Sequence, residues 1–97
     1  MTKHQEYYQK MIDQNLDLFS KFQDLHDKYV LEPKKWQGEY NAVGEQVVTI
    51  IREWERKLCT ESEKGKFGKF SNNLADKFWE LVRTDYPRID FVGVKQL

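Results

Sequence analysis

Cysteine, proline, glycine and long apolar runs are all scarce in this sequence of 97 residues. Cys59 is the only cysteine, which excludes an intramolecular disulfide. The longest mainly apolar stretch, residues 47–51, falls far short of the roughly 20 residues that a membrane-spanning helix needs. The first residues also lack the apolar segment of a secretory signal. We therefore expect a cytoplasmic protein that does not associate with membranes.

An excess of charge of either sign is lacking too, because 16 Lys and Arg balance 16 Asp and Glu. This balance argues against general binding of nucleic acid or of an anionic membrane, but it is compatible with a local basic patch. Aromatic residues are abundant at 14%, whereas disordered chains contain few of them. We expect one folded domain over residues 1–97, since two separate cores would each be too small to stay folded.

The few prolines and glycines divide the chain into three predicted helices, over residues 3–30, 33–60 and 70–85, and a tail over residues 87–97. Pro33 suits the first position of a helix, and Pro87 ends the third. The first helix carries a heptad seam, in which side chains recur at alternating spacings of four and three. The seam residues are Tyr8, Ile12, Asn15, Phe19, Phe22, His26 and Tyr29.

Long amphipathic helices with short connections favour an all-α fold, a three-helix up-down-up bundle with a short extended C-terminal tail. The first helix is predicted to be longer than the third, so its beginning would lack a partner within the chain. Dimerisation or the tail would then cover it. The tail has a β-type composition, and it either docks on the bundle or pairs with another molecule. Gly44 lies at the edge of the second apolar stripe, where the helix either breaks or permits a close approach.

Motifs for catalysis and metal binding are missing. The two histidines, His4 and His26, do not occur in His-x-x-x-His or Glu-x-x-His patterns, and there is no Cys-x-x-Cys. These absences argue against a zinc site or a di-iron site in the bundle. Neither a P-loop nor a nucleophile elbow occurs. We therefore expect no enzymatic activity, no metal and no cofactor.

Two polar residues, Asn15 and His26, interrupt the apolar seam of the first helix. A buried polar group must be hydrogen-bonded, or it costs about 1–3 kcal/mol. One interpretation is a polar contact that sets the register or the oligomeric state, as a single seam Asn does in coiled coils. The other is a ligand-binding or pH-sensitive position within the bundle. The sequence leaves both interpretations open.

The segment from residue 64 to residue 70 combines cationic, aromatic and glycine residues without any acidic residue. Lysines can contact phosphates while aromatic rings stack on bases, so this segment is a candidate site for an anion or for nucleic acid. Three phosphate contacts would give only weak, salt-sensitive binding. The other interpretation is an ordinary loop between helices. The candidate residues are Lys64, Lys66, Phe67, Lys69 and Phe70.

These features together predict a small non-enzymatic interaction module, acting as a regulator, adaptor or subunit. Its expected partner is a second copy of the chain, a larger protein, or both. Tyrosine and tryptophan are enriched at interfaces because their rings combine an apolar body with a polar end. The interface candidates are Tyr7, Tyr8, Met11, Trp79 and Phe91. The alternative is weak binding of nucleic acid or nucleotides through the 64–70 segment.

Overall fold

The computed structural model describes residues 2–63 and 71–93, with side chains described for residues 2–60 and 74–93. Within these ranges the chain contains no strand. Its elements are α1 (Lys3–Gln14), α2 (Leu16–Leu31), α3 (Pro33–Glu63), α4 (Ser71–Asp85) and a 3-10 turn (Ile89–Phe91). The predicted all-helical fold is confirmed. The predicted first helix, however, is two helices, so the described residues form four helices rather than three.

Asn15 causes this division. Its backbone leaves helical geometry at φ −135° and ψ 36°, and its side-chain amide donates a hydrogen bond to the Met11 carbonyl at 2.9 Å. Asparagine readily forms such local bonds to the backbone, which compete with the bonds of a continuing helix. A new helix then begins at Leu16. The heptad spacing continues across the break, which is why the sequence predicted a single helix.

The long helix α3 begins at Pro33, as predicted, and Glu32 alone connects it to α2. Its 31 residues extend to Glu63 and correspond to about 47 Å of helix at 1.5 Å per residue. This length accounts for the longest dimension of the molecule, 48 Å. The helix passes through Gly44 without interruption, which decides between the two alternatives for that glycine.

The other three helices all pack against α3. The ring of Phe22 stacks on Tyr40 at 5.2 Å between centroids, and Tyr7 meets the ring of Trp54 edge-on at 6.1 Å. Residues later in the α1–α2 segment thus contact residues earlier in α3, so the two run antiparallel. The largest fully buried side chains come from all four helices: Met11, Phe22, Tyr40, Val47, Ile51, Leu58, Phe78 and Val82.

The beginning of the first helical segment is covered by α4, contrary to our expectation that it lacks a partner within the chain. Met11 is fully buried, and Tyr8 is only 9% exposed. The Tyr8 ring packs edge-on against Phe78 at 6.0 Å, and its hydroxyl donates a hydrogen bond to the Asp85 carboxylate at 2.5 Å. Burial of the ring, together with this bond, raises the pKa of Tyr8. Tyr8 and Met11 are therefore buried in the core of the single chain, and their roles as interface residues stay predictions.

The tail does not form an extended segment over its described residues. Residues 88–93, which we call the C-terminal turn, contain the 3-10 turn and lie against the helices. Ile89 is only 3% exposed, and its amide donates to the Tyr86 carbonyl at 2.9 Å. A single strand would leave its backbone groups unpaired, whereas a 3-10 turn pairs them locally. Of the two alternatives for the tail, docking on the helices holds up to Gly93.

Gly44 provides space for the C-terminal turn. A Cβ atom at this position would lie 2.6 Å and 2.8 Å from the two methyl carbons of Val92. Gly38 lies on the same helix with nothing within 4 Å of the corresponding point. The two glycines thus form a matched pair, since they share a helix and differ in their surroundings.

We expect Gly38→Ala to stabilise the protein by up to about 1 kcal/mol, the difference in helix propensity. Gly44→Ala gains the same propensity but forces Val92 away, and overpacking of this kind costs about 1–3 kcal/mol. Urea unfolding should therefore rank Gly38→Ala above Gly44→Ala. Adding Val92→Ala should remove most of the clash at Gly44. Equal stabilities of the two glycine variants would contradict the docking of Val92 on α3.

Candidate functional site

The backbone of the C-terminal turn is attached to α2 and α3 by polar side chains. The Tyr40 hydroxyl donates to the Arg88 carbonyl at 2.6 Å, and the Arg88 amide donates to Nε2 of His26 at 3.2 Å. The Gln37 side chain donates to the Phe91 carbonyl at 3.2 Å. The Gly93 amide donates to Oδ1 of Asn41 at 2.8 Å. These four bonds fix the path of the turn across the helices.

Buried aromatic rings hold these polar groups in place. The rings of Tyr29 and Tyr40 stack at 4.1 Å with an interplanar angle of 7°. The Tyr29 hydroxyl donates to Oε1 of Gln37 at 2.7 Å, and Gln37 is only 6% exposed. Burial raises the pKa of Tyr40, with a further contribution from Tyr29, so its hydroxyl stays protonated and able to donate. The buried polar groups therefore act as fixed anchors for the turn.

An exposed apolar surface surrounds the attached turn. We call it the Phe91 surface and define it by Val30, Pro33, Arg88 and Phe91. These four residues line a cavity of about 190 Å³ together with Tyr29. Val30 and Phe91 are 48% and 42% exposed. Binding sites for small molecules usually measure about 300–1,000 Å³. This cavity is better suited to an apolar side chain of another protein.

Arg88 gives the Phe91 surface a cationic centre. Its guanidinium lies 5.6 Å from the centroid of the Phe91 ring, within the range of a cation–π contact. The contact orders the arginine before any partner binds, which lowers the entropy lost on binding. Arginine and aromatic residues are also the types that dominate binding energy at protein interfaces.

The predicted interface residues lie in different parts of the molecule. Phe91 is exposed and lies on the surface just described. Trp79 is half-buried, and its indole N–H donates to the Glu55 carboxylate at 2.9 Å. Tyr7 is half-buried, between α1 and α3. The structure thus brings none of the other predicted residues to Phe91, and the roles of Tyr7, Trp79 and Phe91 as interface residues stay predictions.

Sequence reasoning missed Val30 and Arg88. The signal for Val30 was present, because Val30 and Leu31 follow the last seam residue, Tyr29, and lie off the apolar stripe of the helix. Two adjacent apolar residues off the stripe cannot both face the core of an amphipathic helix. The role of Arg88 had no such signal, since it depends on how the C-terminal turn folds back.

A second concave region, the α1–α3 groove, lies where Tyr7 meets Trp54. Its volume is about 540 Å³, and Lys10, Arg56 and Lys57 contribute cationic groups to its lining. The ammonium of Lys57 lies 4.4 Å from the centroid of the Trp54 ring, and Trp54 is only 8% exposed. The groove therefore presents positive charge but little free aromatic surface on which a base could stack.

The predicted anion or nucleic-acid site, comprising Lys64, Lys66, Phe67, Lys69 and Phe70, lies outside the described residues. Within the described ranges, no group of three or more His, Cys, Asp or Glu residues is placed to hold a metal ion. No helix in the described part of the chain has both the length and the apolar character needed to cross a membrane. Neither protein-family models nor curated proteins match the sequence, and no solved structure matches the fold.

Proposed function

We propose that this protein is a small, non-enzymatic helical interaction module that binds another protein chain through the Phe91 surface. The observation that carries the proposal is the group of exposed apolar side chains around one small cavity. Single exposed apolar residues are ordinary on protein surfaces, whereas a contiguous group often marks a site of association. Arg88 at its centre adds a residue type that is common among the strongest contacts of interfaces. A cytoplasmic location is part of the proposal and rests on the sequence.

The docked chain is either a larger protein or a second copy of this one. A cavity of about 190 Å³ beside Phe91 would accept an apolar anchor side chain from either source. The exposed surroundings of the cavity would form the rim that excludes water once the partner is bound. Both sources use the same contacts, so one pair of variants tests both.

Val30→Asp is the variant that tests the Phe91 surface, and Leu16→Asp is its matched control. Both residues are apolar and exposed, at 48% and 55%, so neither change should destabilise the fold. They lie 14 residues apart on α2, which corresponds to about 21 Å along the helix. We expect Val30→Asp to weaken binding by about 30-fold or more, the effect of losing a contact worth about 2 kcal/mol. Leu16→Asp should bind as the unchanged protein does.

The measurement combines sedimentation velocity of the pure protein with affinity capture from a native lysate of its source. Concentration-dependent association that Val30→Asp abolishes would identify a second copy as the partner. A stoichiometric protein captured by the unchanged chain and by Leu16→Asp, but not by Val30→Asp, would identify a larger partner. Equal behaviour of the two variants in both measurements would refute the proposal.

A second candidate function is weak binding of nucleic acid or nucleotides. The observation that favours it is the cluster of Lys10, Arg56 and Lys57 in the α1–α3 groove, near the end of the helix that leads to the 64–70 segment. Against it, Lys10 already pairs with Glu6 at 3.1 Å, and Glu53 also lines the groove. Nuclease treatment of the capture samples distinguishes the two functions, because a nucleic-acid binder would lose its captured material.

A further inference from the structure

His26 is buried beside the C-terminal turn in a defined protonation state. Its Nε2 accepts the hydrogen bond from the Arg88 amide, and an amide nitrogen can only donate. The neutral ring therefore carries its proton on Nδ1. That nitrogen is buried and has no hydrogen-bond partner among the described residues, the nearest acid being Asp27 with Oδ1 at 3.8 Å. The surroundings of His26 therefore favour the neutral form of its ring.

Protonation of His26 would reverse the bond to the turn. Both nitrogens of a charged imidazole are donors, so Nε2–H would face the N–H of Arg88. The contact would change from a hydrogen bond to a repulsion between two donors. The charge of Arg88 would also disfavour the added positive charge.

The groups that face His26 offer little compensation for this charge. The rings of Tyr40 from α3 and of Tyr86, which directly follows α4, lie 6.3 Å and 5.9 Å from the His26 ring, between centroids. Burial raises the pKa of Tyr86 to about 12, and that of Tyr40 is raised as well, so both are uncharged near neutrality. Asp27 is the one anion among these neighbours, and its side chain is 69% exposed. Attraction to such an exposed carboxylate is weakened by water and salt.

We propose that His26 is a pH-sensitive latch, whose protonation releases the C-terminal turn from the helices and so dismantles the Phe91 surface. Arg88 and Phe91 belong both to the turn and to that surface, so release would remove the cationic centre and one wall of the cavity together. The inference that the turn is released rests on the contacts of His26 and does not require the docking function. Its consequence for partner binding rests on the proposed docking function.

The direction of the pH effect follows from burial. Burial lowers the pKa of His26 below its usual 6.5, a change that Asp27 opposes and Arg88 reinforces. The released or unfolded chain therefore binds a proton at a pH where the folded chain does not. The stabilisation from neutral His26 is complete above the usual pKa and is lost as the pH falls from there towards the folded pKa. The latch is closed at neutral pH and opens in mildly acidic solution.

The test is amide hydrogen exchange and chemical-shift titration of the full chain by NMR, from about pH 7.5 to about pH 5, the range in which histidine titrates. We expect the protection of the Gly93 amide to fall by up to about tenfold per pH unit, since one proton drives the release. Amides at the centre of α3, remote from the turn, should keep their protection. Loss of protection throughout the chain at one pH would show global unfolding and would overturn the latch.

The two histidines provide matched variants. The glutamine side chain in His26→Gln can accept the Arg88 hydrogen bond but does not titrate, so this variant should keep the turn attached at all of these pH values. His4→Gln changes a histidine near the start of α1, which contacts Thr2, and should respond to pH as the unchanged chain does. A pH response of the turn that persists in His26→Gln would contradict the proposal. If His26→Gln does not fold, the NMR titration of the unchanged chain tests the proposal instead. The latch requires the imidazole resonances of His26 and the amide resonance of Arg88 to shift with the same midpoint.

Partner binding separates this proposal from the docking function. Capture with the unchanged chain is repeated at about pH 5.5 and about pH 7.5, on either side of the usual histidine pKa. Release of the turn with loss of the captured protein supports both proposals. Release without any effect on capture leaves the latch intact and refutes docking through the Phe91 surface. Attachment of the turn at both pH values refutes the latch, whatever the capture shows.

Discussion

Replacing Phe22 with alanine is expected to lower the free energy of unfolding by about 3–5 kcal/mol, the usual cost of removing a buried aromatic ring. Phe22 is fully buried and lies between elements that are distant in sequence. Its ring contacts Tyr40 of α3 at 5.2 Å and Tyr86 at 5.1 Å, between centroids. Its loss would leave a cavity where α2, α3 and the end of α4 meet. Proteins of this size are stable by only about 5–15 kcal/mol, so the variant should be partly unfolded at body temperature.

Urea unfolding monitored by circular dichroism would measure this effect, and Phe91→Ala is the matched control. Phe91 is 42% exposed, so its truncation should cost only about 1–2 kcal/mol, a little over half of what full burial of such a ring contributes. The two variants remove the same ring from different surroundings. Similar losses of stability in both would mean that Phe22 is not packed as the structure describes.

Met11→Ala is expected to cost about 2–5 kcal/mol, because Met11 is fully buried where α1 packs against α3 and α4. The loss should not depend on protein concentration, since the neighbours of Met11 belong to the same chain. Had Met11 contacted a second subunit, as the sequence suggested, the variant would weaken any rise of the melting temperature with concentration.

Thermal melts at two protein concentrations would distinguish these cases. Leu16→Ala serves as the control, because Leu16 is also apolar and lies near the junction of α1 and α2 but is 55% exposed. It should lie within about 0.5 kcal/mol of the unchanged protein. A concentration-dependent loss in Met11→Ala would return Met11 to an interface.

The boundaries of the helices followed from the sequence wherever a residue acts locally. Pro33 begins α3 because its missing N–H suits a first turn, and Pro87 limits α4, which ends at Asp85. Asn15 was different, because its place in the heptad pattern favoured a continuous helix, while its hydrogen bond to Met11 ended one. Periodicity does not distinguish a seam asparagine from one that terminates a helix.

The candidate site was harder to predict than the fold. Phe91 was identified from the apolar composition of the tail. The surface around it, however, joins the end of α2 to a turn about 60 residues later in the chain. His26 was recognised as unusual, although its partner could not be named. Arg88 lies 62 residues away and contributes its backbone amide, a group that every residue except proline carries. The residue type at position 88 therefore does not reveal that its backbone amide makes this contact.

The sequence by itself determined that this protein is helical, where most of its helices begin and end, and which face of each helix is apolar. These properties depend on residues within a few positions of one another, through capping, proline geometry and spacing. Only the tertiary structure decided that α4 covers Tyr8 and Met11, that Gly44 receives Val92, and that the C-terminal turn rests on His26. Such contacts join distant segments, and they are selected by how the apolar faces fit together in space.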